Sequence, residues 1–182
     1  MKISAVKTAK KYGDFVLRED GPNRIKVQYL PEITREMRRD KSPRVYLFVV
    51  DGEIYKIGGS ADKSGMDGTI GFYTAALQGS PGKPRFILHH LIARELESGH
   101  FVELYVIRSK PLLGEVSGLF ATRSVSVHAF KEMEEECIRD YVSSEGRHPR
   151  WNFQENSESY PDDLSKLHNE FHERRLGRRS SN

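Results

Sequence analysis

The sequence predicts a mixed α+β (α/β) domain in which a small, mainly antiparallel sheet of three strands is flanked by helices. Three observations carry this. Val45-Tyr46-Leu47-Phe48-Val49-Val50 is apolar and β-branched, Asp51-Gly52 is a strong two-residue hairpin turn, and Glu53-Ile54-Tyr55-Lys56-Ile57 returns as the partner strand. Leu88, Leu91, Ile92 and Leu96 recur at helical spacing, and Gly99 sits where a C-terminal cap belongs. Phe130, Met133, Cys137, Ile138 and Tyr141 form one stripe at 100° per residue, the mark of a helix packed on one face.

The other elements follow in chain order. Residues 1–43 are rich in Lys and Arg, with breaks at Gly13, Gly21-Pro22 and Pro31, and read as a basic N-terminal extension. Within it Ile25-Lys26-Val27-Gln28-Tyr29 alternates like a short strand, and 32–40 reads as a charged helix ended before Pro43. The hairpin opens a core spanning 44–155. Gly58-Gly59-Ser60 closes it, and a Gly-rich segment at 64–71 leads into a helical stretch, Phe72-Tyr73-Thr74-Ala75-Ala76-Leu77. A loop through Gly79, Pro81, Gly82 and Pro84 precedes the helix opened by Arg85. Residues 101–107 form the third strand, and a long connection through Pro111 and Gly118 reaches the last core helix at 127–142. Residues 156–182 hold a helix, at 164–176, and a solvated basic tail with Arg174-Arg175 and Arg178-Arg179.

Composition narrows the function classes. Of 182 residues, 30% are charged and 37% apolar, which fits one hydrated domain with an aromatic-anchored core. Twenty-nine Lys and Arg against 26 Asp and Glu give +3, a mildly basic balance that suits a polyanion without proving one. No apolar run reaches the ~18 residues of a membrane span, and the N-terminus lacks the apolar core of a secretory signal, so a cytoplasmic protein is expected. One cysteine, Cys137, excludes an internal disulfide and a cysteine-based zinc site.

Two groups of residues carry chemistry. Glu132, Glu135 and Glu136 fall opposite the apolar stripe of the last core helix, whereas Glu134 projects among Phe130, Met133 and Ile138. A carboxylate on a core-facing stripe must be paired, protonated or bound to a cation, because burying it bare is costly. On the hairpin, Tyr46 and Lys56 stand on adjacent antiparallel strands that can bring them onto one face, where an ammonium would favour a phenolate. Strand alternation sends Tyr55 to the other face.

In this order the residues resemble the GIY-YIG nuclease family, over about residues 44–153. Arg44-Val45-Tyr46 stands where the family's first motif belongs, and Lys56-Ile57-Gly58 with Gly59-Ser60 where the second does. Glu134-Glu135-Glu136-Cys137-Ile138 matches the helix glutamate pattern, and Pro149-Arg150-Trp151-Asn152 the closing Pro-x-x-Asn. The chain departs from the pattern in three places. Arg44 replaces the first glycine, and Lys56 replaces the second tyrosine, a substitution that resembles certain restriction-enzyme and phage-type branches. The arginine usual after the second motif is absent between Gly58 and Gly82. Arg85, with His89 one turn later, is the carry-over, and Arg94 the reserve.

The resemblance implies a metal-dependent DNA endonuclease of the type II restriction kind. Glu134 would hold one Mg²⁺ or Mn²⁺, and Tyr46 would take the proton of the attacking water. Lys56 would favour the phenolate or hold the phosphate. Arg85 would clamp the non-bridging oxygens, and His89 would bind phosphate or shuttle a proton. Ser60, Asn152, Arg94 and Arg150 are the substrate-binding candidates. Lys7, Lys10, Lys11, Arg38, Arg39 and Lys41 before the core, and Arg147, Arg150, Arg174, Arg175, Arg178 and Arg179 after it, offer phosphate contacts to double-stranded DNA. A homodimer suits a palindromic site.

Two rivals stand beside it: a non-catalytic nucleic-acid-binding module on a degenerate core of this kind, and a small globular protein whose hairpin only mimics the family. His90, His100, His128 and His148 read as surface or core residues. His168 and His172, four apart on the tail helix, have the spacing of a fortuitous metal pair.

Overall fold

The computed structural model describes residues 1–127 and 129–179, with the side chains of Ser126 and 175–179 outside the description. His128 and the side chains of Arg175, Arg178 and Arg179 therefore lie outside the described residues. The sheet has five strands rather than three. Strands β1 (Lys10–Leu17), β2 (Ile25–Tyr29), β3 (Arg44–Val50), β4 (Glu53–Ser60) and β5 (Val102–Arg108) run in the order β2-β1-β5-β3-β4, each pair antiparallel. The N-terminal segment thus supplies two strands of the same sheet. Gly13, which reads as a break in the sequence, lies inside β1 at an irregular register with β5, and a Cβ there would collide with the Gln28 carbonyl.

Strand β3 is buried on both faces, which is why its sequence is apolar throughout. Tyr46, Phe48 and Val50 face one core with Phe15, Leu104, Ile70, Leu88 and Ile92. Val45, Leu47 and Val49 face a second core with Ile54, Ile57 and Tyr141. Helices α2 (Gly65–Thr74) and α3 (Lys83–Glu97) cover the first face, and α4 (Phe130–Glu145) covers the second with Met133, Cys137 and Ile138. The short α1 (Arg35–Arg39), capped by the Thr34 hydroxyl, packs against α2, and α5 (Asp162–Arg179) lies on α3 through Leu164, Leu167 and Phe171.

The turn predicted at Asp51-Gly52 forms with both residues at positive φ, 46° and 79°, as a type I′ turn requires. The long connection after β5 is not unstructured: it contains a second hairpin, β6 (Leu112–Ser117) with β7 (Thr122–Val127), which exposes Leu113, Leu119 and Phe120. No helix among the described residues is long and apolar enough to cross a membrane.

Candidate active site

The edge strand β4 organises the site. Pairing places Tyr46 opposite Gly58, Val45 opposite Gly59 and Phe48 opposite Lys56. The Tyr46 ring lies over Gly58 so closely that any Cβ there would overlap it. At Gly59 a Cβ would stand 2.6 Å from Glu134 Oε2 and 2.8 Å from the Phe130 carbonyl, so this glycine lets α4 descend onto the strand. The consecutive glycines therefore seat two candidate side chains, Tyr46 from β3 and Glu134 from α4.

Tyr46, Lys56 and Glu134 line one cleft of about 150 Å³ at the sheet edge. Tyr73 of α2 and Glu155 and Tyr160 of the segment before α5 complete it, with Pro84, Trp151 and Phe153. The Tyr46 hydroxyl is 2.6 Å from the Tyr73 hydroxyl. The sequence offered no signal for Tyr73, Glu155 or Tyr160, which reach the cleft only through the packing of α2 and the chain after Asn152.

Electrostatics follow from burial. Burial pushes the Tyr46 phenol well above the usual tyrosine range, and Tyr73, Glu134 and Glu155 push it the same way. Burial likewise lowers the Lys56 ammonium, opposed by Glu155 and Glu134. Burial raises the Glu134 carboxyl, against a hydrogen bond from the Gly59 amide and the charge of Lys56. Burial disfavours each charged form, and the opposite charges of Lys56 and the two glutamates offset part of that cost.

Glu155 Oε2 is buried and unpartnered, and with Glu134 it provides hard oxygen donors at the cleft. This donor set fits Mg²⁺ or Mn²⁺ carrying most of its water, whereas among the described residues no group of three or more His, Cys, Asp or Glu side chains forms a closed cage.

The remaining candidates divide. Arg85 is exposed, stacks 3.8 Å from the Phe72 ring centre, and follows Pro84 of the cleft wall. Burial raises the Tyr73 phenol, and the Tyr46 hydrogen bond and the Arg85 charge offset part of that rise. His89 is fully buried: Nε2 accepts from the Arg24 amide at 3.2 Å and Nδ1 donates to the Tyr73 carbonyl at 2.7 Å, so it fixes α2 instead of facing the cleft. Arg94 pairs with Asp163 of α5. Ser60 Oγ lies 2.7 Å from Thr69 Oγ1, tying β4 to α2. Asn152 is fully buried; its Oδ1 accepts from the Ile57 amide at 2.9 Å and its Nδ2 donates to the Ile57 carbonyl at 3.0 Å, extending the edge of β4. Arg44, at the first-glycine position, is also fully buried and donates to the carbonyls of Ser42, Asp40 and Asp62.

The placement of Tyr55 corrects an expectation. A bulge between Phe48 and Val49 leaves Ile54 and Ile57, three apart, in the same core and turns Tyr55 toward Trp151, ring centres 5.2 Å apart. Arg150 donates to the Tyr55 hydroxyl at 3.0 Å. Of the other basic residues, Lys11 pairs with Asp14 and Glu103, Arg38 with Asp67, and Arg174 with Glu170. Lys7, Lys10, Arg39, Lys41 and Arg147 are exposed.

No family model matches the chain, and no curated protein matches it. Among solved structures, a mutant of bacteriophage T4 EndoII superposes with a TM-score of 0.54 at 17% identity, over 84% of this chain and 98% of that one. The restriction endonuclease HPY188I in complex with product DNA gives a TM-score of 0.48 at 16% identity, over 82% and 84%. In overall architecture, an antiparallel sheet flanked by helices, the chain is similar to bacteriophage T4 EndoII.

Proposed function

We propose that this protein is a metal-dependent DNA endonuclease that hydrolyses phosphodiester bonds at specific sites, with a core similar to that of the restriction-type GIY-YIG nucleases. The observation that carries the reading is the meeting of Tyr46, Lys56 and Glu134, from two strands and a helix, at one cleft.

Glu134, with Glu155 beside it, would hold a divalent cation, which supplies Lewis-acid polarisation of a phosphoryl oxygen and of bound water. Tyr46 would accept the proton of the attacking water. Burial holds its phenol protonated, so Tyr46 would act as a base only once positive charge enters the cleft. Lys56 stands opposite Phe48 on the same face as Tyr46 and would meet a phosphate oxygen, whose charge would add to that of Glu155 and Glu134 in offsetting the burial of the ammonium. Arg85, exposed at the start of α3, would clamp the non-bridging oxygens with its planar fork. Asn152, Ser60 and His89 are positioning residues: they fix β4 and α2, which carry Lys56 and Tyr73. The exposed Lys7, Lys10, Arg39, Lys41 and Arg147 would follow the phosphate backbone, and two chains would act as a homodimer at a two-fold site.

The test is cleavage of unmethylated phage DNA with Mg²⁺ or Mn²⁺, against EDTA. Discrete metal-dependent fragments with the parent and none with Glu134→Gln support the reading. Salt-sensitive DNA binding without cutting on several DNAs replaces it with the non-catalytic module.

A further inference from the structure

Away from the cleft, α5 brings two imidazoles together. His168 and His172 lie one turn apart, and their Nε2 atoms are 3.0 Å from each other. Each also approaches the Pro81 carbonyl oxygen, at 3.2 Å for His168 and 3.1 Å for His172. The three atoms make a nearly equilateral triangle that protons cannot satisfy. The carbonyl only accepts. If both Nε2 atoms carry hydrogen, the edge between them sets donor against donor; if one does, the other faces the carbonyl lone pair against lone pair. With both protons on Nδ1, which leaves the buried His168 Nδ1 hydrogen without a partner, three lone-pair donors stand within 3.2 Å of one another, a crowding that a shared cation resolves. The size agrees, since ligands about 2.1 Å from a metal stand about 3.0 Å apart at the right angles of a tetragonal site and about 3.4 Å apart at the angles of a tetrahedral one. The rings are also held from outside. His168 meets Phe86 edge-on with centres 5.2 Å apart, and His172 Nδ1 lies 3.4 Å from Ser80 Oγ, an outer partner of the kind metal-bound histidines use.

We propose that His168, His172 and the Pro81 carbonyl bind a borderline divalent transition cation of the Zn²⁺, Ni²⁺ and Cu²⁺ class, with water in the remaining positions. Imidazole donors select this class over Mg²⁺, which separates the site chemically from the carboxylates of the cleft. No third His, Cys, Asp or Glu side chain joins the pair among the described residues, so the ion exchanges readily and a chelator removes it. Pro81 lies in the loop between α2 and α3, just ahead of the turn that carries Arg85. A bound ion therefore clamps α5 to the segment that sets the start of α3.

The experiment uses the untagged full chain carrying Glu134→Gln and Glu155→Gln, so that the cleft carboxylates do not contribute. Titration calorimetry with Ni²⁺ and Zn²⁺ is to show one site per chain. Thermal unfolding is to shift upward with Zn²⁺ but not with the same concentration of Mg²⁺. His168→Asn and His172→Asn are each expected to weaken binding at least tenfold. The Cu²⁺ electron paramagnetic resonance spectrum is to show two coupled nitrogens in the parent and one in each variant. Unchanged affinity in the doubly substituted chain overturns the proposal, as does a parent spectrum with fewer than two coupled nitrogens. That spectrum decides the matter without any histidine variant, so a variant that fails to fold does not protect the idea.

Discussion

Asn152→Ala separates a residue that holds the strand from one that holds phosphate. The side chain closes two hydrogen bonds, 2.9 and 3.0 Å, on the amide and carbonyl of Ile57, and it is fully buried. Alanine leaves both backbone groups inside without partners, at about 1–3 kcal/mol each. Water entering the vacated space recovers part, so the net loss is about 3 kcal/mol. For a chain of this length that lowers the melting temperature by roughly 6–12 °C. Thermal and urea unfolding measure it, with DNA affinity taken well below the transition. Asn152→Asp sharpens the case. Its carboxylate still accepts from the Ile57 amide but sets its second oxygen against the Ile57 carbonyl, so its deficit shrinks as acid protonates it. An Asn152→Ala protein that melts within 1–2 °C of the parent yet binds DNA about tenfold more weakly would refute the reasoning and return Asn152 to the substrate.

Other outcomes test the remaining assignments. Glu134→Gln should abolish metal-dependent cleavage and melt at or above the parent's temperature at neutral pH, because burial disfavours the ionised carboxyl it replaces. Arg85→Ala should slow cleavage about a hundredfold with melting unchanged, whereas Arg94→Ala, which breaks only an exposed pair with Asp163, should stay within about threefold of the parent. Gly58→Ala should disable the cleft by displacing the Tyr46 ring from Tyr73, read as lost cleavage in a chain whose circular dichroism keeps its strands and helices. Burial holds the His90 imidazole down at about 4, against about 6.5 unfolded, so its neutral form belongs to the fold. That stability is complete above about pH 6.5 and declines by roughly 2 kcal/mol toward pH 4, after allowing for partial solvent screening. Urea unfolding at pH 7 and 4.5 should show a smaller pH loss in His90→Gln than in the parent.

Local patterns determined what depends on neighbours in the chain. Asp51-Gly52 encodes its own backbone angles, and the hairpin formed where it was read. Helical periodicity located α3 and α4, and it aimed Glu134 inward, because a helix assigns faces by spacing alone. The tertiary structure decided everything that depends on a partner distant in sequence. Strand β1 was not legible because the sign of its membership, Gly13, also reads as a break; only the approach of the Gln28 backbone explains it. Tyr55 changed face because a bulge adds one residue to β4, and no alternation rule counts it. His89 shares a helix with Arg85, yet the Tyr73 carbonyl and the Arg24 amide claim both its nitrogens. Tyr73 and Glu155 enter the cleft because α2 and the segment after Asn152 fold over the sheet edge, and their sequence neighbourhoods carry no trace of it. Periodicity specifies the face a side chain takes, and packing across the sheet specifies what it meets there.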